Sequence, residues 1–234
     1  MISCIDCFDL PWSIPFKKWP TVCSCFKTIE TDLQRHIIIL WEKDKVTKIV
    51  IKEYNNQLAE HDHQILSELN CHKINTITSL GYKTIPETHK SYLATEFFKF
   101  EVVSLEQLIQ ETKISDFVKI VEILIKFLIV LHKNSFWWGD AAPSNVLFQK
   151  IKEKISPILI DIETMKHFHG NLLSEEQRKH DIQIFEENML GEIINIFSER
   201  NKEIPYEMLI KIKSQIVSSY ERMYNRHSYS ITSC

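Results

Sequence analysis

Asp140, Asn145 and Asp161 are residues whose types and spacing suit joint chemistry. Asp140 follows a glycine in the run Trp137-Trp-Gly-Asp-Ala-Ala-Pro-Ser-Asn-Val-Leu-Phe148, a loop punctuated by Gly139 and Pro143. Asn145 comes five positions later at the start of an apolar strand, and Asp161 ends a second short apolar strand that begins at Pro157. Carboxylate and amide oxygens are hard ligands that suit Mg²⁺. Phosphoryl transfer to a hydroxyl uses such a set: one Asp beside the nucleophile, then an Asn and a second Asp that hold the metal against the phosphates. Three such residues on their own would equally suit turns flanking strands. The stretches around them decide between the two readings.

Gly139-Asp140 through Asn145-Val-Leu-Phe148 resembles the loop of aminoglycoside and choline kinases, His-Gly-Asp, four residues, Asn. Ile160-Asp-Ile-Glu163 is similar to their Ile-Asp-Trp-Glu. A closer likeness is to bacterial domains of unknown function grouped with the lipopolysaccharide (Kdo/heptose) kinases, whose loop commonly reads Phe-Trp-Gly-Asp. The likeness runs from about Leu10 to Glu192 and so covers far more than one motif. It implies an α+β, two-lobed protein-kinase-like fold, with a small antiparallel-sheet N-lobe and a mainly helical C-lobe. It also implies ATP and Mg²⁺ as cofactors. Asp140 would position the attacking hydroxyl and accept its proton, Asn145 and Asp161 would hold the metal, and Glu163 would add a carboxylate to that site.

The elements that must position these residues follow in the expected order. Residues 1–21 read as an arm: Leu10-Pro-Trp-Ser-Ile-Pro-Phe-Lys-Lys-Trp-Pro20 is neither helical nor alternating, so an extended arm with its aromatics packed on the domain is expected. Residues 22–98 read as the N-lobe, with strands at His36–Trp41 and Lys48–Tyr54 and a helix over Gln57–Leu69. Lys52 ends a Val/Ile strand, where the resemblance places the lysine that meets the α- and β-phosphates. Its carboxylate partner would come from the helix: Asp62 falls on the face of Leu66 and Leu69, with Glu60 and Glu68 as alternatives. No glycine lies between the first strands. The turn Thr31–His36 offers Arg35 and backbone N–H groups to phosphate instead. Gly81 is expected in a turn, and Ser91–Phe98 in a strand leading to the hinge. By resemblance Thr95 guards the adenine pocket, and the backbone of Glu96 and Phe98 hydrogen-bonds the base.

Residues 99–234 read as the C-lobe. Ser115 can cap a helix over Phe117–His132 that is apolar nearly all round, as a central helix should be. Trp138 occupies the place of the His or Arg that often precedes the catalytic Gly-Asp or Arg-Asp. Ser174-Glu-Glu-Gln177 forms a capping box, and in the helix it starts Asp181 is a candidate to brace the catalytic loop from below. A further amphipathic helix runs from Pro205 to Tyr224.

Bulk composition bounds the partners. At 234 residues, 44% hydrophobic and 25% charged, the chain is of ordinary globular type. A net charge of -3, from 28 basic and 31 acidic residues, argues against nucleic acid as a partner. No transmembrane span is visible, and Asp6 and Asp9 interrupt any signal-like start, so a cytoplasmic location is expected; peripheral membrane contact stays open. The cysteines are expected as free thiols. Zinc on Cys4, Cys7, Cys23 and Cys25 is disfavoured by the single residue between the last two. Besides ATP, the expected partner is a hydroxyl-bearing acceptor, a small molecule or sugar before a protein. The missing glycines, and an Asp where related chains carry Glu, sustain two rivals: a silent nucleotide-binding module (a pseudokinase) and an AMP transferase.

Overall fold

In a computed structural model the chain is described over residues 8–29, 37–42, 47–55, 57–111, 114–152, 154–199 and 206–226. It divides into two compact units, Met1–Lys99 and Phe100–Cys234.

The first unit is built on an antiparallel sheet of β1 (Phe26–Ile29), β2 (Ile38–Glu42), β3 (Lys48–Tyr54), β4 (Ser79–Ile85) and β5 (Lys90–Glu96), in the order β1-β2-β3-β5-β4. β3 is its centre, pairing Lys52 with Ile38 on one side and Leu93 on the other. The period-2 pattern is plain there. Ile49, Ile51 and Glu53 are buried while Lys48, Val50 and Lys52 between them are partly exposed. Ile49 and Ile51 pack into a cluster with Leu10, Phe16 and Trp19 from the N-terminal arm. The arm therefore packs on the sheet as expected, but it is not extended throughout. A 3₁₀ turn at Phe16–Lys18 runs into the single helical turn α1 (Trp19–Val22). Pro20 sits in that first turn, where a missing N–H interrupts no helical bond.

Two further expectations are corrected. Cys23 and Cys25 are joined in a disulfide, not free thiols; with their sulfurs joined they do not form the zinc set, and Cys4 and Cys7 lie outside the described residues. Gly81 lies within β4 at a bulge against β5, so a strand replaces the expected turn. Helix α2 (Leu58–Cys71) packs on β3, β4 and β5 through Ile65, Leu66 and Leu69.

The second unit is mainly helical. α3 (Leu105–Glu111) is capped by Ser104 and Gln107, whose side chains exchange hydrogen bonds with each other's backbone N–H. α4 (Ile114–Lys133) buries Phe117, Leu124, Ile125 and Leu131 and packs against α6 (Tyr206–Arg226). The side chain of Ser115 lies outside the described residues. α5 (Glu175–Glu199) starts at the expected capping box, with Gln177 N–H donating to Ser174 Oγ at 3.1 Å and Ser174 N–H to Gln177 Oε1 at 2.8 Å. Between α4 and α5 the chain makes β7 (Phe136–Trp137), β8 (Val146–Ile151), β9 (Lys154–Leu159) and β10 (Lys166–His167), with β6 (Val102–Val103) joining β8. Among the described residues no helix is long and apolar enough to cross a membrane. A sheet-and-helix unit followed by a mainly helical one is the fold class expected from the sequence.

Candidate active site

In the second unit, β8 and β9 form a hairpin whose register pairs Val146 with Leu159, and Ile160 N–H donates to the Asn145 carbonyl at 3.0 Å. That pairing sets Asn145 opposite Ile160, so Asp161 follows at the same open end of the hairpin. Asn145 closes a 3₁₀ turn, Pro143–Asn145, that grows out of the Asp140 loop. Ala142 N–H donates to the Asp140 carbonyl at 2.7 Å, and Asn145 Nδ2 reaches the same oxygen at 3.3 Å. This bond fixes the amide by its nitrogen and leaves its oxygen for another ligand. Asp161 Oδ1 accepts from Glu163 N–H at 3.5 Å, which folds the Asp-Ile-Glu turn back on itself. The three predicted residues and Glu163 therefore lie on two short turns joined by hydrogen bonds. Asp140 is exposed, and Asn145, Asp161 and Glu163 are half-buried.

The loop is held from both sides. Thr164 Oγ1 donates to the Trp138 carbonyl at 2.8 Å. Gly139 has φ +77°, and a Cβ there would stand 3.0 Å from the Thr164 carbonyl oxygen, so a side chain has neither the conformation nor the space. From below, buried Asp181 accepts from Trp138 N–H and Gly139 N–H, each at 2.8 Å, one on each carboxylate oxygen. Asp181 therefore does what the sequence suggested, and it acts on main chain. The Trp138 indole is buried, edge-on to Phe127, and takes no part in that grip. Sequence reasoning missed His132, whose Nε2 lies 2.9 Å from Asp181 Oδ2. It also missed Tyr220, whose hydroxyl lies 2.6 Å from His132 Nδ1. A histidine following the apolar run Phe127–Leu131 at the end of α4 was the available signal, since a fully buried ring nitrogen needs a partner.

In the first unit, Lys52, Tyr54 and Asp62 form a second group. Lys52 Nζ lies 5.0 Å from the Tyr54 ring centroid, and the Tyr54 hydroxyl donates to Asp62 Oδ2 at 2.6 Å. Asp62 is buried on the face of α2 that also carries Ala59, Ile65 and Leu66. Of the alternatives, Glu60 is exposed and accepts from the Tyr82 hydroxyl at 2.7 Å, and Glu68 is half-buried. Thr95 is buried on β5. Glu96 N–H donates to the Thr78 carbonyl at 2.9 Å, so any base contact by its backbone falls to its carbonyl. Phe98 is half-buried beyond the strand end, and Arg35 lies outside the described residues. On the other face of β3, Glu53 pairs with Lys90 at 2.7 Å and accepts from Tyr92 at 3.0 Å, which separates this structural pair from the Lys52 group.

Among solved structures, the chain resembles WaaP in complex with acyl carrier protein, with a TM-score of 0.53 at 15% identity, over 86% of this chain and 88% of that one. At that identity the likeness is one of fold: the chain has a protein-kinase-like fold. No protein-family model matches the chain, and no curated protein matches it by sequence.

Proposed function

We propose that the chain is an ATP- and Mg²⁺-dependent phosphotransferase that passes the γ-phosphoryl group to a hydroxyl of a small molecule or sugar. The observation that carries this reading is the backbone hydrogen bond from Ile160 N–H to the Asn145 carbonyl, which joins the Asp161 turn to the Asp140 loop, with Asp181 gripping that loop at Trp138 and Gly139. Asn145 Oδ1 and the carboxylates of Asp161 and Glu163 are hard oxygen donors, and they fit Mg²⁺. When bound, the metal would neutralise charge on the phosphates. Asp140, exposed at the loop crest, orients the acceptor hydroxyl and takes its proton as the new O–P bond forms and ADP leaves. Lys52 neutralises the phosphates that stay with ADP, and Asp62, through Tyr54, fixes the strand end that carries Lys52.

The test is incubation with labelled ATP, Mg²⁺ and a panel of sugars and small metabolites, with products identified by mass. Asp140→Asn should lower turnover by on the order of 10²-fold while leaving Mg-ATP affinity nearly unchanged, because this residue meets the acceptor and not the nucleotide. Transfer that survives the change would overturn the role of Asp140. An AMP-bearing product would favour the nucleotidyl-transfer rival. A parent that binds Mg-ATP with no product on any acceptor would favour the silent module.

A further inference from the structure

The grip on the Asp140 loop does not end at Asp181. Its carboxylate is within hydrogen-bond distance of three nitrogens, the amides of Trp138 and Gly139 and His132 Nε2, with His180 Nδ1 farther off at 3.7 Å. The two amides can only donate, and a carboxylate facing the ring can only accept, so His132 carries its proton on Nε2 and presents Nδ1 bare. Nδ1 lies 2.6 Å from the Tyr220 hydroxyl, which must then be the donor. Burial favours both states, lowering the His132 pKa and raising that of the Tyr220 phenol well above its usual range. His132 and Asp181 are fully buried and Tyr220 nearly so, so no water competes for these bonds. Tyr220 is held in turn by stacking on Tyr224 at 5.4 Å, and Arg178 lies 4.9 Å from the Tyr224 ring.

We propose that Tyr220, far along the chain on α6, is a positioning residue for the Asp140 loop: its hydroxyl fixes the His132 tautomer, and His132 fixes the carboxylate that holds the loop's amides. The chain of donors runs one way, from Tyr220 O–H to His132 Nδ1, from His132 Nε2–H to Asp181, with the loop amides donating to Asp181 from the other side. A buried network of this kind is worth keeping only if every member is satisfied, and removing one end leaves the next nitrogen bare. The consequence for turnover rests on the phosphotransferase reading; the structural consequence does not.

The experiment is Tyr220→Phe, which keeps the ring and removes one oxygen, with Tyr224→Phe as the control for removing a hydroxyl from the ring stacked on it. Amide exchange at Trp138 and Gly139, read by NMR, should quicken by about tenfold or more in Tyr220→Phe, with the bulk of α4 unchanged. Ring ¹⁵N shifts of His132 should show Nδ1 unprotonated in the parent and altered in the variant. Turnover should fall by about tenfold with the KM for ATP nearly unchanged, since the loop and not the nucleotide site is loosened. Tyr224→Phe should move none of these. Parent-like exchange at both amides, or an equal rise across all of α4 and α6, would overturn the proposal. If the parent transfers phosphate to no acceptor, the phosphotransferase reading fails by itself, and the exchange and ¹⁵N measurements still decide the role of Tyr220.

Discussion

At the scale of single residues, the candidate site depends on positions with no reactive group. Gly139 is the clearest. Its φ of +77° disfavours any L side chain, and a Cβ would press on a backbone oxygen that has little freedom to move. Gly191, within α5, has nothing within 4 Å of where its Cβ would go. Alanine at the two sites should therefore act in opposite directions. Gly139→Ala should lower the unfolding free energy by about 1–3 kcal/mol, and Gly191→Ala should raise it by about 0.5–1 kcal/mol. Urea denaturation of the two variants beside the parent measures both. Equal effects would show that the Gly139 loop relaxes freely, contrary to its fixed hydrogen bonds. Gly139 was legible as part of a motif, yet its reason was not, because Thr164 comes 25 positions later and meets it only after the chain turns back.

Elements were legible where one period dominates. β3 alternates, and α2 carries Ile65, Leu66 and Leu69 on one face, so both were placed within a few residues of their observed bounds. β4 was missed because Gly81 reads as punctuation, when it marks a bulge within a paired strand. The arm was read correctly for its packing and incorrectly for its shape, since Pro and Trp obscure a local turn that tertiary contact stabilises. Trp19 is the measure of that contact. It is 1% exposed, it meets Trp12, Phe16 and Phe26 with ring centroids 4.8–5.2 Å away, and its indole N–H donates to the Ile14 carbonyl at 3.0 Å. Trp19→Ala should cost about 3–5 kcal/mol of stability, the range for a buried aromatic. Trp12→Ala, at a half-buried position, should cost clearly less. Chemical denaturation followed by circular dichroism would show the difference, and equal losses would mean that the arm is a loose cover rather than part of the core.

For the whole molecule, buried His132 and half-buried His63 contribute to the response to pH. Burial lowers the pKa of His132, against the opposing pull of Asp181, and lowers that of His63 as well. Each takes up a proton more readily when unfolded, so its contribution to stability is complete above the ordinary histidine pKa of about 6.5 and is lost as pH falls below it. Glu192 works the other way. Burial beside Glu106 raises its pKa, so it binds a proton more readily in the folded chain and offsets part of that loss. Urea midpoints at pH 7.5, 6.5 and 5.5 should fall with pH, and more steeply in Glu192→Gln. Midpoints that stay level in both proteins would show that His132 is protonated in place. None of this coupling could be read along the sequence: Tyr220 is 88 positions from His132, and Asp181 is 49. The Asp140, Asn145 and Asp161 set was visible because it is local. Of its support only Asp181 was suggested by the sequence; His132 and Tyr220 were hidden because the network is assembled from three helices and a loop.

Asp181 grips main-chain amides, and main-chain amides have no spelling. The Trp138 side chain fills the core edge-on to Phe127, and the bond beneath it is made by its main-chain N–H, which any residue but proline would supply. The shape of such a loop can outlast almost all of its letters. Such a grip is compatible with a fold shared with WaaP at 15% identity, where no family model and no curated protein matches the sequence.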